Sequence, residues 1–510
     1  MGEQPPKVIM DNSKPLTALT AFLDRADYDL ISFVTAHEKP AQFFTSSYVY
    51  RKALIRKHQL HLTLAEYLAK VRHRGHKSVL EGGGVPSGWV IELQFADELE
   101  ELMRDELWEL GEQLRENEVT EEAEKKWFII KPGFADGAHG IRMFSTENQL
   151  RAIFDSFEPP SSDEEDESEA QREGSDDPQD FAETMNAALD SLATKAAEMG
   201  FRGDEDEGED DEYDETGEYL SRPILFDIAQ TANEPLRLPT GHKFHIRAYV
   251  LITGGYTVHL SKTMLALFSG TPYVPPLCSD SPFDMDLRPH LTNTCLQTDA
   301  YGAPRPPDEL VKLFWELEGL TAIQSTSTGS MAEAGKVDRG WLDQTFAILG
   351  QVVAESVKAG AECGSFGLQL IPNAFEIFGV DLLLSFPPVE LKPGRSPPIP
   401  LVTLLEYNAS PDFAQSGDRL RPHLLQMFKG VVRIAIAPFL GMETSDYTAD
   451  DKSVADEVSA AGEKYAADDK STADASAGLG SISNSPWRVG DERWGWRLAG
   501  RGEVRGPGGR

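Results

Sequence analysis

The stretch LLEYNASPDF (404–413) ends an apolar run on Glu406 and Asn408. In a strand, residues two apart share a face, so a carboxylate and an amide would stand side by side on one surface of a sheet. A second apolar run, FEIFGVDLLLSF (375–386), carries Asp381, and the Pro- and Gly-rich PPVELKPGRSPPIP joins the two. A hairpin centred near residues 392–393 sets Asp381 opposite Leu404 to Glu406, so three oxygen donors converge on one patch. Hard oxygen donors suit magnesium, which takes one or two carboxylates together with waters and substrate phosphates. Without a cation, two carboxylates buried together repel each other and are costly to desolvate. Solvent at a strand end is the plainer alternative for a lone Glu.

Two further segments could supply positive charge. GHKFHIRAYVLITGGYTVHLSKTMLAL (241–267) is a pair of β-rich runs around Gly254-Gly255, a strong signal for a two-residue turn. With those glycines as the turn, Thr253 faces Tyr256, Arg247 stands opposite Lys262, and His245 stands opposite Met264. Like charges directly across a sheet are destabilising unless an anion lies between them, which points to a phosphate or carboxylate site. In the alternative, the register slips by one residue and Lys262 points to solvent. KKWFIIKPGFADGAHGIRMF (125–144) reads as strand, glycine loop, strand, with Trp127, Ile129 and Lys131 on one face. The amides of a loop containing Gly137 and Gly140 could cradle a polyphosphate while Lys131 neutralises it. It is not a Walker loop, and an ordinary hairpin with a glycine turn is the alternative.

The elements that hold these residues sit in an uneven chain of 510 residues with a formal charge of −36. Residues 161–220 alone contain 24 Asp or Glu against 3 Lys or Arg, a block that repels itself and is expected to be disordered. Residues 442 to about 486 and the basic, glycine-rich end read as a second unstructured stretch. Against this trend, YRKALIRKHQLHLTLAEYLAKVRHRGHK (50–77) has eight Lys or Arg and one Glu, a surface for an acidic peptide tail. Nucleic acid would also be attracted, but no nucleic-acid motif accompanies it. The acidic block shares the charge of such a tail and is expected to compete for this patch. Three helices are expected by their three- and four-residue apolar spacing, at 308–320, 341–360 and 419–440. Leu342, Phe346, Leu349 and Val353 belong to their core. Cys278, Cys295 and Cys363 have neither disulfide nor zinc spacing and read as reduced. The start lacks the layout of a signal peptide and no run is long enough to span a membrane, so a cytoplasmic protein is expected.

A lysine beside a glycine loop, a cationic hairpin and an Asp/Glu/Asn patch, in this order, resemble an ATP-grasp ligase. KWFIIKP, KFHIRAYVL, HLTNT (290–294), FEIFGVDLLL and LLEYNASPDFAQSGDRL together resemble the tubulin-tyrosine ligase family over residues 45–158 and 222–438. YVYRKALIRKHQL is similar to the fungal branch associated with P-bodies. The resemblance implies an α+β ATP-grasp fold. In it, an N-terminal α/β domain (1–115) carries the basic patch, a central domain (116–223) carries the disordered acidic insertion (160–220), a C-terminal domain (224–440) completes the ATP cleft, and 441–510 form a disordered tail. ATP is expected between the central and C-terminal domains.

The resemblance also implies cofactors and roles. ATP and Mg2+ would serve a reaction in which a peptide carboxylate is phosphorylated and an amino acid, tyrosine in the name-giving case, displaces the phosphate to form an amide. The acceptor would be tubulin or another protein with an acidic C-terminal tail. Lys131, with Gly137 and Gly140, would hold phosphates; Gln230 would belong to the adenine hinge; Arg247 would meet the γ-phosphate or acyl-phosphate charge; Asp381, Glu406 and Asn408 would hold the metal. Lys262 lies in a matching segment, but it is its place across the hairpin from Arg247 that makes it a second expected catalytic cation. The chain departs from the family pattern in the phosphate loop, where ADGAHGI replaces an arginine-bearing sequence, and in the hinge FDIAQTANEPLRLP, which has no Tyr. A Glu or Gly ligase acting on another acidic tail, and a P-body or RNP scaffold with a worn ATP site, remain as alternatives.

Overall fold

Apolar residues on both faces of the longest strands require cover on both sides, and this sets the layering. The computed structural model describes residues 7–9, 40, 42–48, 50–93, 98–132, 140–156, 214–219, 225–226, 241–277, 281–299, 301–325, 331–364, 367–386, 396–411, 413, 416–442 and 487–502. The elements used below are helix α1 (Lys57–His73), strands β1 (Phe128–Pro132) and β2 (Arg142–Phe144), strands β3 (His242–Thr253), β4 (Thr257–Ser261) and β5 (Leu265–Phe268), helix α2 (Arg339–Cys363), strands β6 (Phe375–Ser385) and β7 (Leu401–Asn408), helix α3 (Arg421–Val431) and strand β8 (Trp496–Arg501).

β3 is the spine of the main sheet. On one side it pairs antiparallel with β4 over one half and with β5 over the other; on its other side lies β6, which in turn pairs with β7. Phe244, Ile246, Ala248 and Val250 of β3 join Phe378, Val380 and Leu382 of β6 in a core with Leu342, Phe346, Leu349 and Val353 of α2. The opposite face contributes Tyr249, Leu251, Phe375 and Ile377 to a second core with Leu424, Met427 and Phe428 of α3. α1 packs its Leu60, Leu64, Tyr67 and Val71 into the α2 side, leaving Lys70 and Arg72 exposed.

A second, four-stranded antiparallel sheet has the order Gly88–Glu92, Asp214–Tyr219, β1, β2. Alternation on β1 splits its side chains as expected: Phe128 and Ile130 enter a core with Phe144 and Leu150, while Trp127 and Ile129 meet Leu291. Lys131 shares the Trp127 and Ile129 face and is thereby aimed toward the segment around Leu291 and the main sheet.

Four expectations are corrected. The acidic stretch expected to be disordered as far as residue 220 supplies a strand at its end, Asp214–Tyr219, which pairs with Gly88–Glu92 and with β1. The segment 308–320 is not one helix: Pro307–Leu310 forms a single turn, Val311–Leu313 a strand paired with β5, and Phe314–Leu317 a 3-10 turn. Its apolar spacing fits a helix, but the unpaired edge of β5 recruits the backbone. The chain end is not wholly a disordered tail, because residues 487–502 are ordered and β8 pairs with β4. Trp496 is fully buried there and its indole N–H donates to the Met427 carbonyl at 3.0 Å. The register of the Gly254-Gly255 hairpin is also different, as described below.

Helices at 339–363 and 421–431 agree with the reading, the latter continuing through a π turn at Val432–Ile436 ahead of Pro438. Cys295 and Cys363 are free thiols. Among the described residues no helix is long and apolar enough to cross a membrane. The acidic block up to 213, Cys278, Gln230 and Gly137 lie outside the described residues.

Candidate functional site

Arg247, Asp381 and Glu406 form one row across three adjacent strands. In β6, Asp381 is the register partner of Arg247 in β3 on one side and of Glu406 in β7 on the other. The hairpin expected to bring Asp381 to Glu406 is present. A bulge makes the match, since the next pair along is Leu382 with Leu404, so Leu405 is an extra residue on β7. A bulge of this kind re-aims the following side chain, here that of Glu406.

The carboxylate of Asp381 is the hub. Arg247 forks onto it, with Nε donating to Oδ1 and Nη2 donating to Oδ2 at 2.9 Å. Asn408 donates from Nδ2 to Oδ2 at 3.3 Å. His245, two residues before Arg247 on the same face of β3, places Nε2 at 3.6 Å from Oδ1. Its other nitrogen, Nδ1, lies 2.6 Å from the hydroxyl of Thr292. Gly379 leaves room for the fork, because a Cβ there would come within 3.2 Å of both Arg247 Cδ and Pro411.

Glu406 faces a second cation. Lys57, the first residue of α1, reaches to 3.8 Å from its Oε2. Burial and then the charge of Asp381 push the Glu406 carboxyl up, while Lys57, Lys131 and Arg247 pull it back. Burial would also raise Asp381, but the charge of the Arg247 guanidinium and its hydrogen bonds outweigh it and hold that carboxyl below the usual range. Burial keeps His245 neutral, with a pKa of about 4, against the pull of Asp381; Arg247, Lys243 and Lys131 add to the lowering. The field of Lys131 therefore reaches both Glu406 and His245, as its strand face requires.

Lys262 is elsewhere. The turn has three residues, Gly254, Gly255 and Tyr256, because Thr253 pairs with Thr257. β4 ends at Ser261, and β5 resumes in a new register with Leu265 opposite Arg247 and Leu267 opposite His245. Lys262 lies in the break between them. Its Nζ pairs with Glu492 at 2.5 Å and lies 5.8 Å from the centre of the Trp315 ring. The expected stack of two cations across the hairpin is thus absent. Gly140 closes the β1–β2 loop at φ +73°, where a Cβ would strike Pro132 at 2.6 Å, so its backbone form is dictated by packing.

Asp381, Glu406 and Asn408 come together as the sequence led us to expect, with Arg247 in their row and the charge of Lys131 felt at Glu406. Lys57, His245, Thr292 and Gly379 were missed. Lys57 was visible only as one charge in a basic run, whereas His245 could have been found by counting two residues back from Arg247.

The sequence pattern of the tubulin-tyrosine ligase family matches residues 33–443. The chain belongs to this family. A probable tubulin–tyrosine ligase of Schizosaccharomyces pombe is 31 % identical over 446 residues, covering 86 % of this chain and 90 % of that one. A probable tubulin–tyrosine ligase of Saccharomyces cerevisiae, PBY1, is 33 % identical over 427 residues; the match takes in 83 % of this chain but only 47 % of PBY1. Among solved structures, one similar chain is the C-terminal domain of K. lactis Pby1, described as an ATP-grasp enzyme interacting with the mRNA decapping enzyme Dcp2. The likeness has 24 % identity and a TM-score of 0.46, and covers 82 % of each chain. The two sheets with their flanking helices are the α+β arrangement that the resemblance implied.

The donor set fits magnesium. Two neighbouring carboxylates and a side-chain amide are hard oxygen donors, and the Glu406 carboxyl is raised by burial first and by the charge of Asp381 second. Among the described residues no group of three or more His, Cys, Asp and Glu is arranged to hold a metal ion by itself.

Proposed function

We propose that this chain is an ATP- and magnesium-dependent carboxylate–amine ligase that adds an amino acid, tyrosine by preference, to a protein C-terminus such as that of α-tubulin. The observation that carries the reading is the single row of Arg247, Asp381 and Glu406, flanked by Asn408, Lys57 and the field of Lys131. Asp381, Glu406 and Asn408 would hold the metal, which when bound neutralises the phosphate oxygens. Lys131 and Arg247 supply fixed positive charge where the transferred phosphoryl group gathers negative charge. An acceptor carboxylate oxygen attacks the γ-phosphorus and ADP leaves; the amine of the amino acid then attacks the acyl carbon, inorganic phosphate leaves, and the amine nitrogen loses a proton. The outward cations of α1 suit an acidic acceptor tail, and the reaction would take place in the cytoplasm.

Transfer of labelled tyrosine to detyrosinated tubulin, with Mg-ATP, tests this reading on the full chain and on Glu406→Ala. Incorporation that disappears in the variant is expected. If neither protein incorporates tyrosine, Glu and Gly are offered in the same assay, and failure of all three would leave the family fold without this reaction.

A second reading, a P-body scaffold with a worn ATP site, is favoured by the sequence of the phosphate loop, where Ala135-Asp136-Gly137-Ala138 carries no cation. Calorimetry with Mg-ATP separates the two, because a scaffold of this kind binds no nucleotide.

A further inference from the structure

His245 stands out among the side chains that the proposed reaction does not use. It is 7 % exposed on a strand whose neighbouring positions, Phe244 and Ile246, are fully buried apolar residues. Its Nε2 is a buried side-chain polar atom without a hydrogen-bond partner among the described residues. Leaving such an atom unpaired is costly, and an apolar residue of similar size would avoid the cost. His259 has a buried unpaired nitrogen too, but its ring packs edge-on against Trp487. The free nitrogen of His245 faces Asp381 Oδ1 at 3.6 Å.

The charge beside it fixes which nitrogen carries the proton. A neutral imidazole has one donor and one acceptor nitrogen. Were Nδ1 protonated, the lone pair of Nε2 would point at a carboxylate. With Thr292 Oγ1–H donating to Nδ1 at 2.6 Å, Nε2 carries the hydrogen and presents it to Asp381. Thr292 is itself only 6 % exposed, so the ring is held from behind.

The Asp381 carboxylate has competing claims. Arg247 now occupies both of its oxygens and Asn408 shares Oδ2. If Arg247 serves phosphate and Asp381 serves a cation, as the proposed function requires, the fork must open and Oδ1 loses its donor. Resting on that reading, we propose that His245 is a positioning residue: its buried Nε2–H, oriented by Thr292, holds Asp381 Oδ1 in place when Arg247 turns from the carboxylate to the nucleotide phosphates.

The test is the binding of a fluorescent ATP analogue to the full chain as free Mg2+ is varied. For His245→Ala the half-saturating Mg2+ should rise about tenfold, the usual effect of removing a group that orients a metal-bound carboxylate, with metal-free affinity for the analogue unchanged. His245→Gln, whose amide N–H can occupy the Nε2 position, should recover to within about threefold of the unsubstituted protein. Thr292→Val, which frees the ring, should shift the midpoint by about threefold in the same direction as Ala. Thermal melts confirm that each variant is folded, and the Gln and Val variants retain the test if Ala is not. An unchanged Mg2+ midpoint in His245→Ala overturns the inference. So does a matching loss of metal-free affinity, which would make His245 a nucleotide contact instead. Failure of the unsubstituted protein to bind the analogue with Mg2+ overturns the ligase reading and this inference with it.

Discussion

Arg247 and Lys262 were expected to be neighbours, and the contrast between where they lie shows what holds a register in this fold. Arg247 sits in an unbroken ladder: β3 pairs with β6 from Thr253–Phe375 to Ile246–Leu382, and β6 continues into β7. Lys262 sits where the ladder on the other side of β3 breaks between Ser261 and Leu265. In the first region a one-residue slip would move every side chain to the wrong face, so the hydrophobic pattern enforces the pairing. In the second the break absorbs the slip. Lys262 then finds partners on the chain end, in Glu492, and on the turn at Phe314–Leu317, in Trp315.

The largest effect that would break this contrast is on stability. Arg247→Ala removes the guanidinium from Asp381, which is 5 % exposed, and leaves it beside Glu406 with only partial compensation from Lys57 and Lys131. Loss of one partner of a buried ion pair costs about 3–5 kcal/mol. Denaturant unfolding without metal should show a loss of that size; a change below about 1 kcal/mol would mean that the carboxylates are neutral or solvated in the free protein.

How much of this was legible follows from the same contrast. The Asp381–Glu406 pairing could be read because both strands are long, apolar and joined by one connection, so the length of that connection nearly sets the register. The bulge at Leu405 could not be read, yet it decides which of Leu404, Leu405 and Glu406 meets Asp381. The face of Lys131 was legible from the alternation of Trp127 and Ile129. The Gly254-Gly255 turn was read one residue too short, because Tyr256 has no feature that marks it as part of the turn. At the chain end, glycine and arginine content concealed an alternation: Trp496, Leu498 and Gly500 are buried, whereas Arg501 is exposed. Lys57 and His245 belong to a patch assembled from strands, a loop and a helix far apart in the chain, and no local pattern reports such a meeting.

The chain end offers the next test, because it supplies the partner that draws Lys262 away. Trp496 is fully buried against α3, where Gly430 makes space: a Cβ at 430 would lie 2.4 Å from the indole. Trp496→Ala should destabilise the protein by about 3–5 kcal/mol in thermal or denaturant unfolding, as is usual for a large buried aromatic. It should also leave the outer edge of β4 prone to pairing with other chains. A variant as stable as the parent would return residues 487–502 to the mobile tail that composition suggested.

The smallest effect is the most discriminating. Lys262 and Glu492 are 37 % and 35 % exposed, so their ion pair is worth about 0–1 kcal/mol and weakens with salt. Lys262→Ala should therefore melt close to the parent, and the Trp315 ring, which also carries the Arg339 guanidinium at 4.2 Å, keeps a cation on it. Mg-ATP binding by Lys262→Ala should match the parent, whereas Arg247→Ala should bind none, both measured by calorimetry under conditions where each is folded. If Lys262→Ala lost binding as completely as Arg247→Ala, the ion pair with Glu492 would have to open in the nucleotide-bound protein. The break in the ladder would then be a hinge that returns Lys262 to the site, and β8, which pairs with the neighbouring Ser261 through Trp496, would have to move with it.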